Sequence, residues 1–236
     1  MCNINPDNPF NTNRISSNCL IKKSIPNYDY YFIWSNELKY KLSETYPNTK
    51  FIYLPFAVDD FIIPVFNNNF NYCYNLSFIG NSDKERFFKL NLLLNSHQLI
   101  RENLMVFGNG WDSLNFKSIK GQVNGNDYFI TFNKTKININ ILRDQNRDAH
   151  NMRTFEIPAS CAFMLHEYSK DAIDLFKPGE EAEYYQSVEE FLDKFKFYLN
   201  NDSIREKIAL SAYNKSRTFE YSYKQRAQLI LNEITK

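Results

Sequence analysis

Residues 151–209 read NMRTFEIPASCAFMLHEYSKDAIDLFKPGEEAEYYQSVEEFLDKFKFYLNNDSIREKIA. The stretch opens with Arg153 and Glu156 three positions apart, and on a helix that spacing puts both on one face, beside the amides a helix leaves unpaired at its start. A guanidinium next to free amides suits a phosphate, and the carboxylate stands beside it. After the small residues Ala159, Ser160, Cys161 and Ala162 comes the run Phe163-Met164-Leu165, whose length and flanks predict a strand buried on both faces. Pro158 is awkward inside a helix, so the helix is expected to start close to it or kink there. An acidic loop follows at Gly179-Glu180-Glu181, then Ser187 and Glu190 form a capping box that starts a helix reaching Leu199. Asp202 and Ser203 signal the start of the next helix. Helix, buried strand, loop and capped helix in this order predict an α/β domain.

Outward from this core, Leu76 to Ile79 and Leu104 to Phe107 read as strands that run into glycine turns, at Gly80-Asn81 and at Gly108-Asn109-Gly110-Trp111. Asp83 to Leu94 reads as a helix between them, and Lys136 to Leu142 alternates Ile137, Ile139 and Ile141 with polar residues, as a strand does. This alternation predicts a parallel sheet with right-handed crossovers. A glycine at the carboxyl end of a strand lets a phosphate approach the backbone, although glycine is also an ordinary turn residue. Asp112, Ser113 and Leu114 follow the second turn where a dinucleotide fingerprint needs a further glycine, which argues against a dehydrogenase. Arg143, Arg147 and Arg153 bracket the loop 144–152, either as a diphosphate cluster or as surface partners of Asp144 and Asp148. Farther back, a strand over Tyr30 to Trp34, a helix over Asn36 to Thr45 and a strand over Phe51 to Leu54 make one βαβ-like fragment. Asn67-Asn68-Asn69, with Asn71 and Asn75, marks a polar boundary, and a helix over Tyr221 to Ile234 closes the sequence.

A length of 236 residues with 43% hydrophobic content suffices for a sizeable core, and a net charge of +1 argues against a nucleic-acid binder. The aromatic share of 17% could serve sugar stacking, but such rings are more often core. Cys2, Cys19, Cys73 and Cys161 are widely spaced, as are His97, His150 and His166, so no metal ligand set is expected. No D-x-D pair occurs either. The first residues lack the apolar stretch of a signal peptide, and no run approaches the roughly 18 apolar residues of a membrane span. A reduced, cytoplasmic protein is expected.

Taken in order, Arg153, Phe155-Glu156, Pro158-Ala159, Phe163, Leu165, Glu167, Phe176, Gly179, Glu180-Glu181, Tyr185, Glu189-Glu190-Phe191 and Tyr198-Leu199 resemble the C-terminal half of GT-B glycosyltransferases, most closely the CgeB-like spore-maturation enzymes. Phe78-Ile79-Gly80-Asn81 and Val106-Phe107-Gly108-Asn109-Gly110-Trp111 resemble the first two strand-and-glycine turns of that donor domain, and Tyr53-Leu54-Pro55-Phe56-Ala57-Val58-Asp59 its interdomain linker. Ser160-Cys161-Ala162 departs from the family, which carries a glycine after the helix. The resemblance implies a GT-B-like fold with a Rossmann-type parallel sheet. Residues 1–66 would be a partial acceptor-side α/β segment with the linker, 72–220 the nucleotide-sugar domain, and 221–236 a helix bracing back to the first segment. It further implies metal-independent transfer of a sugar from a nucleoside diphosphate, UDP foremost, to a glycan, protein or lipid acceptor, with no other cofactor. Arg153 would neutralise the diphosphate and Glu156 hold the ribose. Gly80, Asn81, Gly108, Asn109 and Gly110 would line the cleft with Arg143 and Thr154, and Gln122 and Val123 would approach the base. No catalytic base is assigned, because in such folds it usually comes from the other domain. About 60 residues precede the linker, fewer than a domain's usual 100 or more, so a binding protein or the donor half of a two-subunit transferase fits the same sequence.

Overall fold

The computed structural model describes residues 1–11, 19–59, 61–67 and 69–236, so Asn68, in the expected polar boundary, lies outside the described residues. The first part is β1 (Cys2–Asn5), α1 (Cys19–Ser24), β2 (Tyr30–Ile33), α2 (Asn36–Thr45) and β3 (Lys50–Tyr53). The three strands pair in parallel in sequence order, with Ile4, Phe32 and Ile52 in one row. Local propensity did not point to β1, because Asn3 and Asn5 with the following Pro6 read as loop; pairing with the aromatic strand β2 makes it a strand. Tyr31, Ile33 and Phe51 pack one face of this sheet against Leu38 and Leu42 of α2. Ser35 caps α2 by accepting from the Leu38 amide at 3.2 Å.

The second part comprises β4 (Tyr74–Ile79), α3 (Lys84–Ser96), α4 (Gln98–Asn103), β5 (Leu104–Phe107), β6 (Ile119–Lys120), α5 (Asn126–Asn133), β7 (Thr135–Asn140), α6 (Arg153–Ala159), β8 (Met164–Glu167), α7 (Lys170–Leu175), β9 (Glu183–Tyr185), α8 (Val188–Leu199) and α9 (Asp202–Ser216). Its six strands are all parallel in the order β6-β5-β4-β7-β8-β9. Counted from β4 that is 3-2-1-4-5-6, the doubly wound order, whose direction reverses between β4 and β7. Helices cover both faces, Leu90 and Phe195 on one side and Phe155 and Ile157 on the other. The isoleucines of β7 are buried as expected, but the polar residues between them are buried too: Asn138 is 1% and Asn140 0% exposed. The alternation therefore does not separate core from solvent, because a central parallel strand has two covered faces. Asn138 accepts from the Ser77 hydroxyl at 3.0 Å and donates to the Phe132 and Phe163 carbonyls at 3.1 and 3.2 Å.

Two residues past the end of α6 stands Cys161, which is fully buried at φ 51°. This left-handed backbone favours glycine, and it falls within the Ser160-Cys161-Ala162 run that departs from the resembled pattern. The last element, α10 (Tyr223–Ile234), lies along the linker after β3. Val58 and Tyr223 exchange backbone bonds with their neighbours there, Val58 N donating to Tyr221 O at 2.9 Å and Tyr223 N to Val58 O at 3.0 Å. Arg226 donates to the carbonyls of Pro55 at 2.9 Å and Phe56 at 3.2 Å, and Lys50 of β3 pairs with Glu233 at 2.8 Å. No helix among the described residues is long and apolar enough to cross a membrane.

Candidate functional site

Where the strand order reverses, the loops after β4 and β7 diverge and leave a crevice. Asp83, the first residue after the β4 loop, caps α3 by accepting from the amides of Glu85 and Arg86 at 3.1 and 3.0 Å. That fixes the first turn of α3 and aims Arg86 into the crevice. From the β7 side, Arg143 donates to Asp83 Oδ2 at 2.7 Å. Arg153, at the start of α6, donates to the Ile79 carbonyl, and its guanidinium lies where a Cβ on Gly80 would stand, 2.8 Å away. Glycine at 80 leaves the arginine room to cross the strand end, and a Cβ there would make the guanidinium shift. The three arginines line a cleft of about 270 Å³ whose other walls include Asn151 and, from the small sheet's side, Pro6, Asp7 and Phe56.

The charge in this cleft is incompletely balanced. Arg86 has a side chain only 8% exposed, and it reaches Asp83 no closer than 3.8 Å. Its Nη1 donates to the Asn81 carbonyl at 3.3 Å, while its buried Nε–H has no partner among the described residues. Burial first, then Arg153 and Arg143 beside it, pull its guanidinium down to about 9. A polyanion in the cleft would supply the missing countercharge.

Glu156 is half-buried one turn along α6, and its Oε2 accepts from the Tyr128 hydroxyl at 2.7 Å. Burial raises the carboxyl above its usual range, while Arg153 and the Tyr128 bond hold it back. One carboxylate oxygen is fixed by Tyr128 and the other is available for a hydroxyl.

Several expected residues stand elsewhere. The start of α6 has no free amides at its second to fourth positions: Thr154 N is bonded to Asn151, and Phe155 N and Glu156 N to Met152 O at 3.0 Å. The ligand-facing group there is the Arg153 guanidinium. Thr154 faces the core rather than the cleft. It is fully buried, and its hydroxyl meets Asn140 Nδ2 at 3.2 Å and His166 Nε2 at 2.9 Å, so it supports the site from beneath. Gly108, at φ 142°, is needed because the second turn folds onto the first: a Cβ there would lie 2.2 Å from the Gly80 carbonyl oxygen. Trp111 completes that contact by donating to the same oxygen at 2.8 Å, and Gly110, at φ 79°, passes beside Ser82. Asn81 Oδ1 accepts from Asn109 N at 3.0 Å, and Asn109 Nδ2 donates to Gln122 Oε1 at 2.9 Å, so these three lie along an exposed rim. Val123 is half-buried against the Phe107 and Phe129 cluster, and Arg147 is exposed. Arg86 and Tyr128 went unnoticed in the sequence. The signal for Arg86 was available: an arginine three residues past an N-cap aspartate directly after a strand-and-glycine turn.

A doubly wound parallel sheet with cations gathered at its switch point is an architecture that nucleotide-binding α/β proteins share. The Glycosyl transferase-like family profile matches residues 89–232, more than half of the chain, and the chain belongs to that family. No curated protein matches it in sequence. Among solved structures, TarM superposes with a TM-score of 0.74 at 12% identity, covering 98% of this chain and 49% of TarM. HepE of Anabaena, crystallised with UDP and glucose, gives 0.71 at 9% identity over 100% of this chain and 71% of HepE. The GtfA/B complex gives 0.63 at 12% identity over 92% of this chain and 48% of that one. The chain thus spans about half the length of TarM and of the GtfA/B chain it matches.

Proposed function

We propose that this chain is the donor-binding part of a glycosyltransferase that moves a sugar from a nucleoside diphosphate, UDP foremost, to an acceptor hydroxyl, without a metal. The observation that carries the reading is the convergence of Arg86, Arg143 and Arg153 at the switch point, with Arg86 buried and its Nε–H unpartnered. As the acceptor oxygen bonds to the anomeric carbon, the bond to the diphosphate oxygen breaks and the leaving group keeps the electron pair. The acceptor's proton passes to a base on the acceptor side. Charge on the leaving group grows along this path, so fixed guanidiniums stabilise the transition state more than the ground state. Glu156 would accept from the ribose, its second oxygen held by Tyr128. The motif order favours a CgeB-like member, and four free cysteines suit a reducing, cytoplasmic setting.

A second reading has its own support: the first sheet has three strands among the described residues, and GtfA/B, a similar structure, is a complex. In that reading a partner subunit completes the acceptor side. Calorimetric titration with UDP and with pyrophosphate, with and without chelator, tests the donor site. Saturable binding of both ligands that chelator leaves unchanged is expected, and binding seen only with added Mg²⁺ or Mn²⁺ overturns the metal-free reading.

A further inference from the structure

On the small sheet's side, the arginine cleft carries a charge of the opposite sign. Asn5 ends β1 with its side chain buried, donating to the Tyr31 hydroxyl at 2.7 Å, and its Oδ1 accepts from the Asp7 amide at 2.9 Å. That side-chain turn spans Pro6, whose ring fixes its own φ, so the backbone of Asp7 is held just past the carboxyl end of β1, on the cleft wall.

Asp7 is the one acidic residue among the described residues lining the cleft, against Arg86, Arg143 and Arg153. It does not neutralise them. Arg143 and Arg86 take Asp83 as their acidic partner, at 2.7 and 3.8 Å, Arg153 donates to the Ile79 carbonyl, and Asp7 has no ion pair among the described residues. Gln145 Nε2 donates to Asp7 Oδ1 at 3.1 Å, which orients the carboxylate. Its Oδ2 accepts from no described residue and is not sealed in the interior. The cleft thus offers cations for a diphosphate and an open carboxylate oxygen for the group the diphosphate carries.

We propose that Asp7 selects the donor by charge: the group carried on the diphosphate is a neutral or amino sugar, which donates a hydrogen bond to the open Asp7 oxygen, and a uronic acid is refused. The assignment rests on the donor site proposed above. A sugar tethered to the arginines through its diphosphate stays in this cleft. The neighbouring cavity of about 290 Å³ shares Pro6 and Phe56 as walls, but its lining of Ile4, Trp34, Leu54 and Ile230 would bury sugar hydroxyls without partners. Within the cleft a hydroxyl or an ammonium suits an acceptor-only carboxylate, whereas a uronate sets two like charges together in a half-buried site. The repulsive contact contributes to such a choice as much as the attractive one.

Calorimetric titration of the whole chain with UDP, UDP-glucose and UDP-glucuronate tests this, because the two sugars differ only in a hydroxymethyl or a carboxylate on C5. UDP-glucose should bind at least about tenfold more tightly than UDP-glucuronate. Asp7→Asn keeps the size and one acceptor oxygen but removes the charge, and should bring the two ligands within about threefold of each other, mainly by strengthening UDP-glucuronate. Any common change in UDP affinity cancels in that ratio. Equal binding of the two sugars by the wild-type chain overturns the proposal, and that comparison decides even where Asp7→Asn does not fold. A preference that Asp7→Asn leaves intact overturns it too, since another group then makes the choice. In both cases saturable UDP binding keeps the donor site, whereas a wild-type chain that binds none of the three ligands removes the donor reading and the role of Asp7 with it.

Discussion

At the scale of single residues, Arg86 sets stability against binding. A buried cation with an unpaired N–H costs the empty protein, so Arg86→Met, similar in length and apolar, should raise the Tm while lowering UDP and pyrophosphate affinity at least tenfold. A fall in Tm would show that Arg86 is a net structural asset, and unchanged affinity would remove it from the diphosphate site. Glu156→Gln separates ribose from phosphate. UDP affinity should drop on the order of tenfold, since hydrogen bonds to a charged group contribute roughly 1.5–3 kcal/mol, while pyrophosphate, which has no ribose, should bind as well or better. Equal loss of both ligands in titrations would contradict that role. Within the candidate site, the shared helix of Arg153 and Glu156 was legible because three-residue spacing on a helix is a local property. Tyr128 was not, because only the packing of α5 against α6 brings its hydroxyl 28 residues along the chain to Glu156.

At the scale of elements, the turn after α6 carries a measurable strain. Cys161 adopts φ 51° with its side chain fully buried. The left-handed backbone costs a non-glycine residue about 1–2 kcal/mol, close to what burying a small side chain returns. Cys161→Gly should therefore leave stability within about 1 kcal/mol of the parent in urea denaturation, unlike an ordinary core truncation. Cys161→Val adds a branched Cβ to that backbone and should cost at least about 2 kcal/mol; a neutral valine variant would show that the turn relaxes freely. Capped helices were the most readable elements. Ser187 accepts from Glu190 N at 3.2 Å and starts α8 as its sequence announces, although the Glu190 carboxylate reaches Gln186 N, at 2.8 Å, rather than the cap itself. Short strands were the least readable: β6 has two residues and β9 three, and each exists through its neighbour in the sheet rather than through its own pattern.

At the scale of the molecule, two buried histidines tie stability to pH. Burial holds His150 at about 3 and His166 at about 4, against an ordinary value of 6.5, so the unfolded chain binds the extra protons first. Stability is then intact above about pH 6.5 and falls with acid, by about 1 kcal/mol per histidine between pH 7 and pH 5.5. Glu37, Asp171 and Glu156, whose carboxyls are raised, act in the opposite sense and soften that fall. His150→Gln keeps an acceptor for the Phe56 amide and should flatten the slope of urea midpoint against pH; an unaltered slope would exclude His150 as a contributor. The parallel α/β architecture was readable from the chain because helix and strand alternate along it. The meeting of the cleft and the apolar cavity beside it was not, since Pro6, Phe56, Tyr223 and Arg153 are far apart in sequence and only the folded backbone gathers them.

The 3-2-1-4-5-6 strand order has a consequence while the chain is being made. β4 acquires β5 and β6 on one side early, but its other edge waits for β7, and the hydroxyl of Ser77 meets Asn138 only 61 residues later. During synthesis at roughly 5–20 residues per second, that edge stays open for several seconds as a template for foreign strands. A serine between Leu76 and Phe78 makes that edge a poorer template, and the asparagine that later satisfies it rewards the correct neighbour. Ser77→Val should therefore leave the finished protein folded yet increase the insoluble fraction on expression, and equal solubility of the two proteins would assign the Ser77–Asn138 pair to the finished sheet only.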